Sequence, residues 1–134
     1  KVSQSPCYQK GSSIKEAVKE DLGYSSSRGS NFEDNQLIIL CEELGLPSLS
    51  QSIESLSGGE LKKIQLAAAF LSEAELIFFD EPTNHLDLKT ILWLEKKLTR
   101  TSFAWVCITH DRYFLDKVAT RFIELILCNI LLAF

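Results

Sequence analysis

Leu56-Ser57-Gly58-Gly59-Glu60, an amphipathic run, and then Leu76-Ile77-Phe78-Phe79-Asp80-Glu81-Pro82-Thr83-Asn84-His85-Leu86-Asp87 form the stretch on which the reading of this chain turns. The first five residues open a helix with a serine and two glycines. Residues 76–79 are a short, uncharged, apolar run that ends abruptly in two carboxylates. Such a run predicts a buried strand. A strand that delivers acids at its carboxyl end is how open α/β sheets place chemistry, because ligands bind in the crevice beyond the strand tips. A second uncharged run, residues 103–108, ends in Thr109-His110-Asp111. The expectation is that two neighbouring strand tips present an acid pair and an imidazole to a common pocket.

Outward from this stretch, the pattern is helical upstream and mixed downstream. Ile14, Val18 and Leu22 recur at helical spacing behind Ser13, which with Glu16 fits a capping box. They predict a helix over 14–22, ended by Gly23. Residues 24–30 are serine-rich and read as a loop. Asn31 can cap a second helix with Leu37, Leu40, Cys41 and Leu44 on one face, stopped by Gly45 and Pro47. Residues 48–55 read as a polar connector, so about 12–55 is expected to form a small helical unit ahead of a core over 56–134.

The helix after Gly59 is expected to bury Leu61, Ile64, Ala68 and Leu71, with Lys62 and Lys63 off that face. A fourth helix carries Leu88, Ile91, Leu92 and Leu98, and a short one holds 113–118. Residues 122–127 and 130–134 read as strands with a turn near Cys128-Asn129. Alternating strands and helices predict an α/β fold with a parallel sheet.

Bulk properties narrow the classes. The 134 residues suffice for one domain with a real core, and 46% hydrophobic with 24% charged residues is ordinary for a globular chain. A net charge of -4 gives no overall basic field for nucleic acid. Cys7, Cys41, Cys107 and Cys128 lack CxxC spacing, which argues against zinc. Cys41 and Cys107 read as small buried hydrophobes, and a reducing cytoplasm suits all four. Residues 122–134 are the longest apolar stretch, short of the roughly 20 residues that span a bilayer. The chain starts with Lys1 in mid-pattern, and the expectation is a piece of something longer.

Each candidate site has a plain structural alternative. Ser57 and Glu60 form the same S-x-x-E capping pattern as Ser13 and Glu16. Two consecutive glycines weaken that alternative, since they cost backbone entropy yet let N–H groups approach a phosphate at a helix N-terminus. Asp80 and Glu81 could be a solvated strand end, but carboxylates directly after a buried run suit a cationic ligand. His110 could be structural; its place beyond a strand tip favours a ligand-facing role. His85 reads as loop structure, and Asp87 can cap the next helix.

Together these residues resemble ABC-type ATPases. Leu56-Ser57-Gly58-Gly59-Glu60 resembles their signature motif, and Leu76 to Glu81 their Walker B strand with the catalytic glutamate. Leu86-Asp87 resembles the D-loop, His110 the switch histidine, and Val2-Ser3-Gln4 the Q-loop. The resemblance implies a partial P-loop NTPase (RecA-like) sheet plus a small ABC helical subdomain, with ATP and Mg²⁺ as cofactors. It implies that Asp80 and Gln4 hold Mg²⁺, that Glu81 activates the attacking water and that His110 reaches the γ-phosphate. It also implies that Ser57, Gly58, Gly59 and Glu60 contact nucleotide held by an opposite nucleotide-binding domain, with Asp87 at that interface. The alternative for Gln4 is a plain polar residue near a terminus.

The phosphate-cradling loop G-x-x-x-x-G-K-[ST] is absent from the sequence. The resemblance therefore covers nearly the whole chain but only part of a domain. Glu81-Pro82-Thr83-Asn84-His85-Leu86-Asp87, Thr109-His110-Asp111-Arg112-Tyr113-Phe114-Leu115-Asp116 and Val118-Ala119-Thr120-Arg121 resemble the ABC-F group. These are soluble two-domain proteins, mostly ribosome-associated. That implies a cytoplasmic chain whose partners are a second nucleotide-binding domain and the ribosome or RNA. The alternatives are a catalytically incompetent module that docks on another nucleotide-binding domain, and a fragment of a transporter ATPase.

Overall fold

The computed structural model describes residues 8–9, 11–22, 34–126 and 129–133. In order, these form α1 (Ile14–Asp21), α2 (Asp34–Leu44), a 3-10 turn (Ile53–Ser55), α3 (Gly58–Leu71), β1 (Leu76–Asp80), α4 (Leu88–Leu98), β2 (Ala104–Ile108), α5 (Arg112–Val118), β3 (Phe122–Ile126) and β4 (Asn129–Ala133). β1 and β2 pair in parallel, with α4 as the crossover between them. β3 and β4 form a separate antiparallel hairpin rather than extending that sheet. Among the described residues, no helix is long and apolar enough to cross a membrane.

The helix starts follow from side-chain chemistry. Ser13 caps α1 and Glu16 closes the box, while Asp87 caps α4 by accepting the Thr90 N–H. Gly45, at φ 64°, supplies the left-handed residue after α2, and the Leu46 N–H then reaches the Cys41 carbonyl at 2.8 Å. Gly23 and Asn31 lie outside the described residues. The connector expected over 48–55 is fastened down. Its Gln51 and Leu49 carbonyls accept the Ile14 and Lys15 N–H groups, and Ile53 is buried.

Two cores share α3. Ile64, Ala67 and Ala68 pack with Ile14, Ala17 and Val18 of α1 and with Leu37, Leu40, Cys41 and Leu44 of α2. Leu66 and Ala69 face the other way, onto Ile77 and Phe79 of β1, Leu94 and Leu98 of α4, and Phe114 and Val118 of α5. A helix packed on two sides is buried nearly all round. This corrects the expected face of α3, because Lys62 is buried in the middle of it.

Two further expectations are corrected. Leu88 and Leu92 of α4 are exposed, and the buried positions are Thr90, Leu94 and Leu98. The run 76–79 is covered on one face only: Ile77 and Phe79 are buried, whereas Leu76 and Phe78 are half-exposed. Their β2 neighbours Ala104 and Val106 are exposed too, as is Ile108 beside Asp80. Cys107 is likewise only half-buried. Parallel sheets ordinarily carry cover on both faces, so this pair of strands presents one apolar face without it.

Candidate functional site

The parallel register sets Asp80 beside Ile108, so the residues after the two strands emerge together. The Glu81 N–H donates to the Ile108 carbonyl at 2.8 Å, which carries the pairing one residue past β1. Glu81 then takes φ 44°, a left-handed conformation that is costly for a side chain with a Cβ. Buried Pro82 and Thr83 follow, and the Asn84 and Leu86 N–H groups close the turn on the Glu81 and Thr83 carbonyls.

Both oxygens of the Glu81 carboxylate are held from β2's end. Oε1 lies 2.8 Å from His110 Nδ1, and Oε2 accepts the Thr109 hydroxyl at 3.0 Å. Facing a carboxylate, Nδ1 donates, which leaves Nε2 to reach a ligand. Thr109 Oγ1 also accepts the Asp111 N–H at 3.1 Å, and Asp111 caps α5. The threonine thus ties the acid to the loop that bears the imidazole.

The hydrogen bond that His110 donates to Glu81, and the negative charge of that carboxylate, raise the His110 pKa above the ordinary 6.5. A raised folded-state pKa contributes stability fully below the unfolded value, lost as pH rises through the folded value. NMR titration of the His110 ring is therefore expected to give a midpoint above 6.5, and Glu81→Gln to bring it down. A wild-type midpoint at or below 6.5 would mean that the pair does not form in solution.

The glycine turn is built as a capping box. Ser57 Oγ accepts the Glu60 N–H at 3.3 Å, while Glu60 Oε2 accepts the Ser57 N–H at 2.8 Å and hydroxyl at 2.7 Å. The Ser13–Glu16 box has nearly the same geometry, at 3.3, 2.7 and 2.9 Å. Capping alone therefore does not distinguish Ser57 from Ser13; the glycines do. A Cβ on Gly58 would meet open space, whereas one on Gly59 would lie 2.8 Å from the His85 carbonyl oxygen. Gly59 lets the start of α3 approach the 82–87 turn, where His85 sits at φ 65°. Lys63 spans the same gap, with Nζ 2.8 Å from Asp87 Oδ2. Together with the Thr90 N–H and hydroxyl, this holds the Asp87 pKa down to about 2.

The structure thus brings Asp80, Glu81 and His110 to one edge. It sets Ser57 to Glu60 against the turn that carries Asp87. Gln4 lies outside the described residues. The residues present fit a nucleotide-borne Mg²⁺, which takes one or two carboxylates along with phosphates and water. Asp80 ends β1 only half-buried, and no three His, Cys, Asp or Glu among the described residues gather into a cage. Thr109, Lys62 and Lys63 escaped sequence reasoning. With Glu60, Lys63 and Gln65 around it, Lys62 reads in the sequence as part of a solvated face.

The ABC transporter family model matches residues 1–84. Over 92 residues the chain is 46% identical to the energy-dependent translational throttle protein EttA of Haemophilus influenzae, covering 69% of this chain and 16% of that protein. It is 45% identical to the ATP-binding protein ChvD of Rhizobium radiobacter, covering 69% of this chain and 32% of that one. The fold superposes on the ATP-binding subunit of an ABC transporter with TM-score 0.78 and 21% identity, covering 91% of this chain and 52% of the other. A dimeric ATP-binding cassette in a post-hydrolysis state, bound to ADP and Pi, gives TM-score 0.63 and 20% identity over 82% of this chain and 51% of that one.

This chain belongs to the ABC transporter family, within its ABC-F group, and carries part of one nucleotide-binding domain. Its fold is a partial P-loop NTPase fold. It spans only 16% and 32% of the length of these two relatives.

Proposed function

We propose that this chain contributes to two ATP sites at a head-to-tail interface between nucleotide-binding domains of an ABC-F protein. Asp80 binds Mg²⁺, with Gln4, and Glu81 orients and deprotonates the attacking water at one site. His110 holds Glu81 and reaches the γ-phosphate. Ser57, Gly58, Gly59 and Glu60 meet the nucleotide of the other site, and Asp87 lies between the two. The observation that carries this reading is the Glu81 carboxylate held between Thr109 and His110 at adjoining strand tips. The division into a helical unit over 12–55 and a core from 56 onward goes with it. The apolar face of β1 and β2 is where the remainder of the domain packs. EttA is named for translation, and the reading extends to a cytoplasmic, ribosome-bound role.

The second reading is a docking module that offers only its glycine turn in trans. The self-contained Ser57–Glu60 capping box supports it. One experiment separates them: expression of the chain in continuity with its flanking coding sequence, followed by ATPase assay and co-sedimentation with ribosomes. ATP turnover by the longer protein, with none by the 134-residue chain, is the expected result. Turnover by neither, or flanks that encode no phosphate loop, would replace this reading with the docking module. Recovery with membranes instead of ribosomes would point to a transporter subunit.

A further inference from the structure

Lys62 is only 6% exposed, inside the helix that the glycine turn opens. Burying an ammonium is costly unless hydrogen bonds and opposite charge compensate. A methionine would fill similar volume without that cost. What the ammonium does is therefore the informative question. Its Nζ donates to the Asp80 carbonyl oxygen at 3.2 Å. The other end of that same peptide, the Glu81 N–H, is held by the Ile108 carbonyl at 2.8 Å. The peptide between the two acids is clamped from α3 on one side and β2 on the other, immediately before the left-handed Glu81.

We propose that Lys62 is a positioning residue: by holding the Asp80 carbonyl it fixes the peptide plane that turns Glu81 toward His110 and Thr109. The role of Glu81 in turnover rests on the function proposed above; the positioning itself does not. Because Lys62 lies five residues beyond Ser57 on one helix, the clamp also joins the glycine turn to the acid pair.

The test is the His110 titration in the full 134-residue chain, read by NMR with a His110→Gln control for assignment. The two possible effects of Lys62→Met have opposite signs. Loss of a nearby positive charge alone raises an imidazole pKa. Loss of Glu81 alignment lowers it. Lys62→Met is expected to lower the His110 midpoint toward its value in Glu81→Gln, and Lys62→Arg to restore it. An unchanged or higher midpoint in folded Lys62→Met overturns the proposal. Lys62→Gln, on a shorter arm, repeats the measurement if methionine unfolds the chain; unfolding of both assigns Lys62 to the core alone and overturns it as well. In the longer protein, Lys62→Met is expected to reduce kcat by about 10- to 100-fold with KM for ATP little changed. If that protein does not hydrolyse ATP, the proposed function fails while the His110 shift still decides the role of Lys62.

Discussion

Glu81→Gln is expected to cut ATP turnover by about 10²- to 10⁴-fold, the range a positioned general base contributes, in the protein whose site this chain completes. The substitution is nearly isosteric. The Thr109 hydroxyl can still donate to an amide oxygen, and the backbone bond from residue 81 to Ile108 is untouched. What disappears is the charge that draws the His110 ring in and that, under the proposed function, accepts a proton from water. The two losses are separately visible, one as kcat and the other as the His110 midpoint. Thermal melting within a few degrees of wild type would show that turnover was not lost through unfolding. Retained turnover in Glu81→Gln would move the base elsewhere and leave the 2.8 Å contact with His110 a structural one.

The acids and the histidine could be read from the sequence because each ends an uncharged run. Such a run fixes a strand, and a strand fixes where its carboxyl end lies. The capping boxes were legible because they are local, needing only Ser and Glu three residues apart. Lys62 was illegible for the opposite reason. Helical periodicity finds one buried face, and α3 serves two cores at once, so its second face looked like solvent. Leu88 and Leu92 misled in the other direction. Their apolar character predicts a partner that the described residues do not include. The Glu81–Thr109 contact spans 28 positions and depends on strand register, which pattern alone does not fix.

The same limit explains why adjacent phenylalanines are expected to behave differently. Phe79 is 1% exposed on the inner face of β1, against Leu66, Leu94 and Phe114, with the Phe70 ring 6.3 Å away between centroids. Truncation to alanine there is expected to cost about 3–5 kcal/mol, a large part of the roughly 5–15 kcal/mol that holds a domain folded. Phe78 points the other way and is 49% exposed. Its truncation is expected to cost about 1 kcal/mol or less in the isolated chain. Urea unfolding of the two variants compares them directly. In the longer protein the difference narrows if the uncovered face carrying Phe78, Val106 and Ile108 is buried by the remainder of the domain. A large cost for Phe78→Ala in the isolated chain would instead mean that this face is already covered there, by self-association. Repeating the unfolding at several protein concentrations decides that, because only an associated state gains stability with concentration.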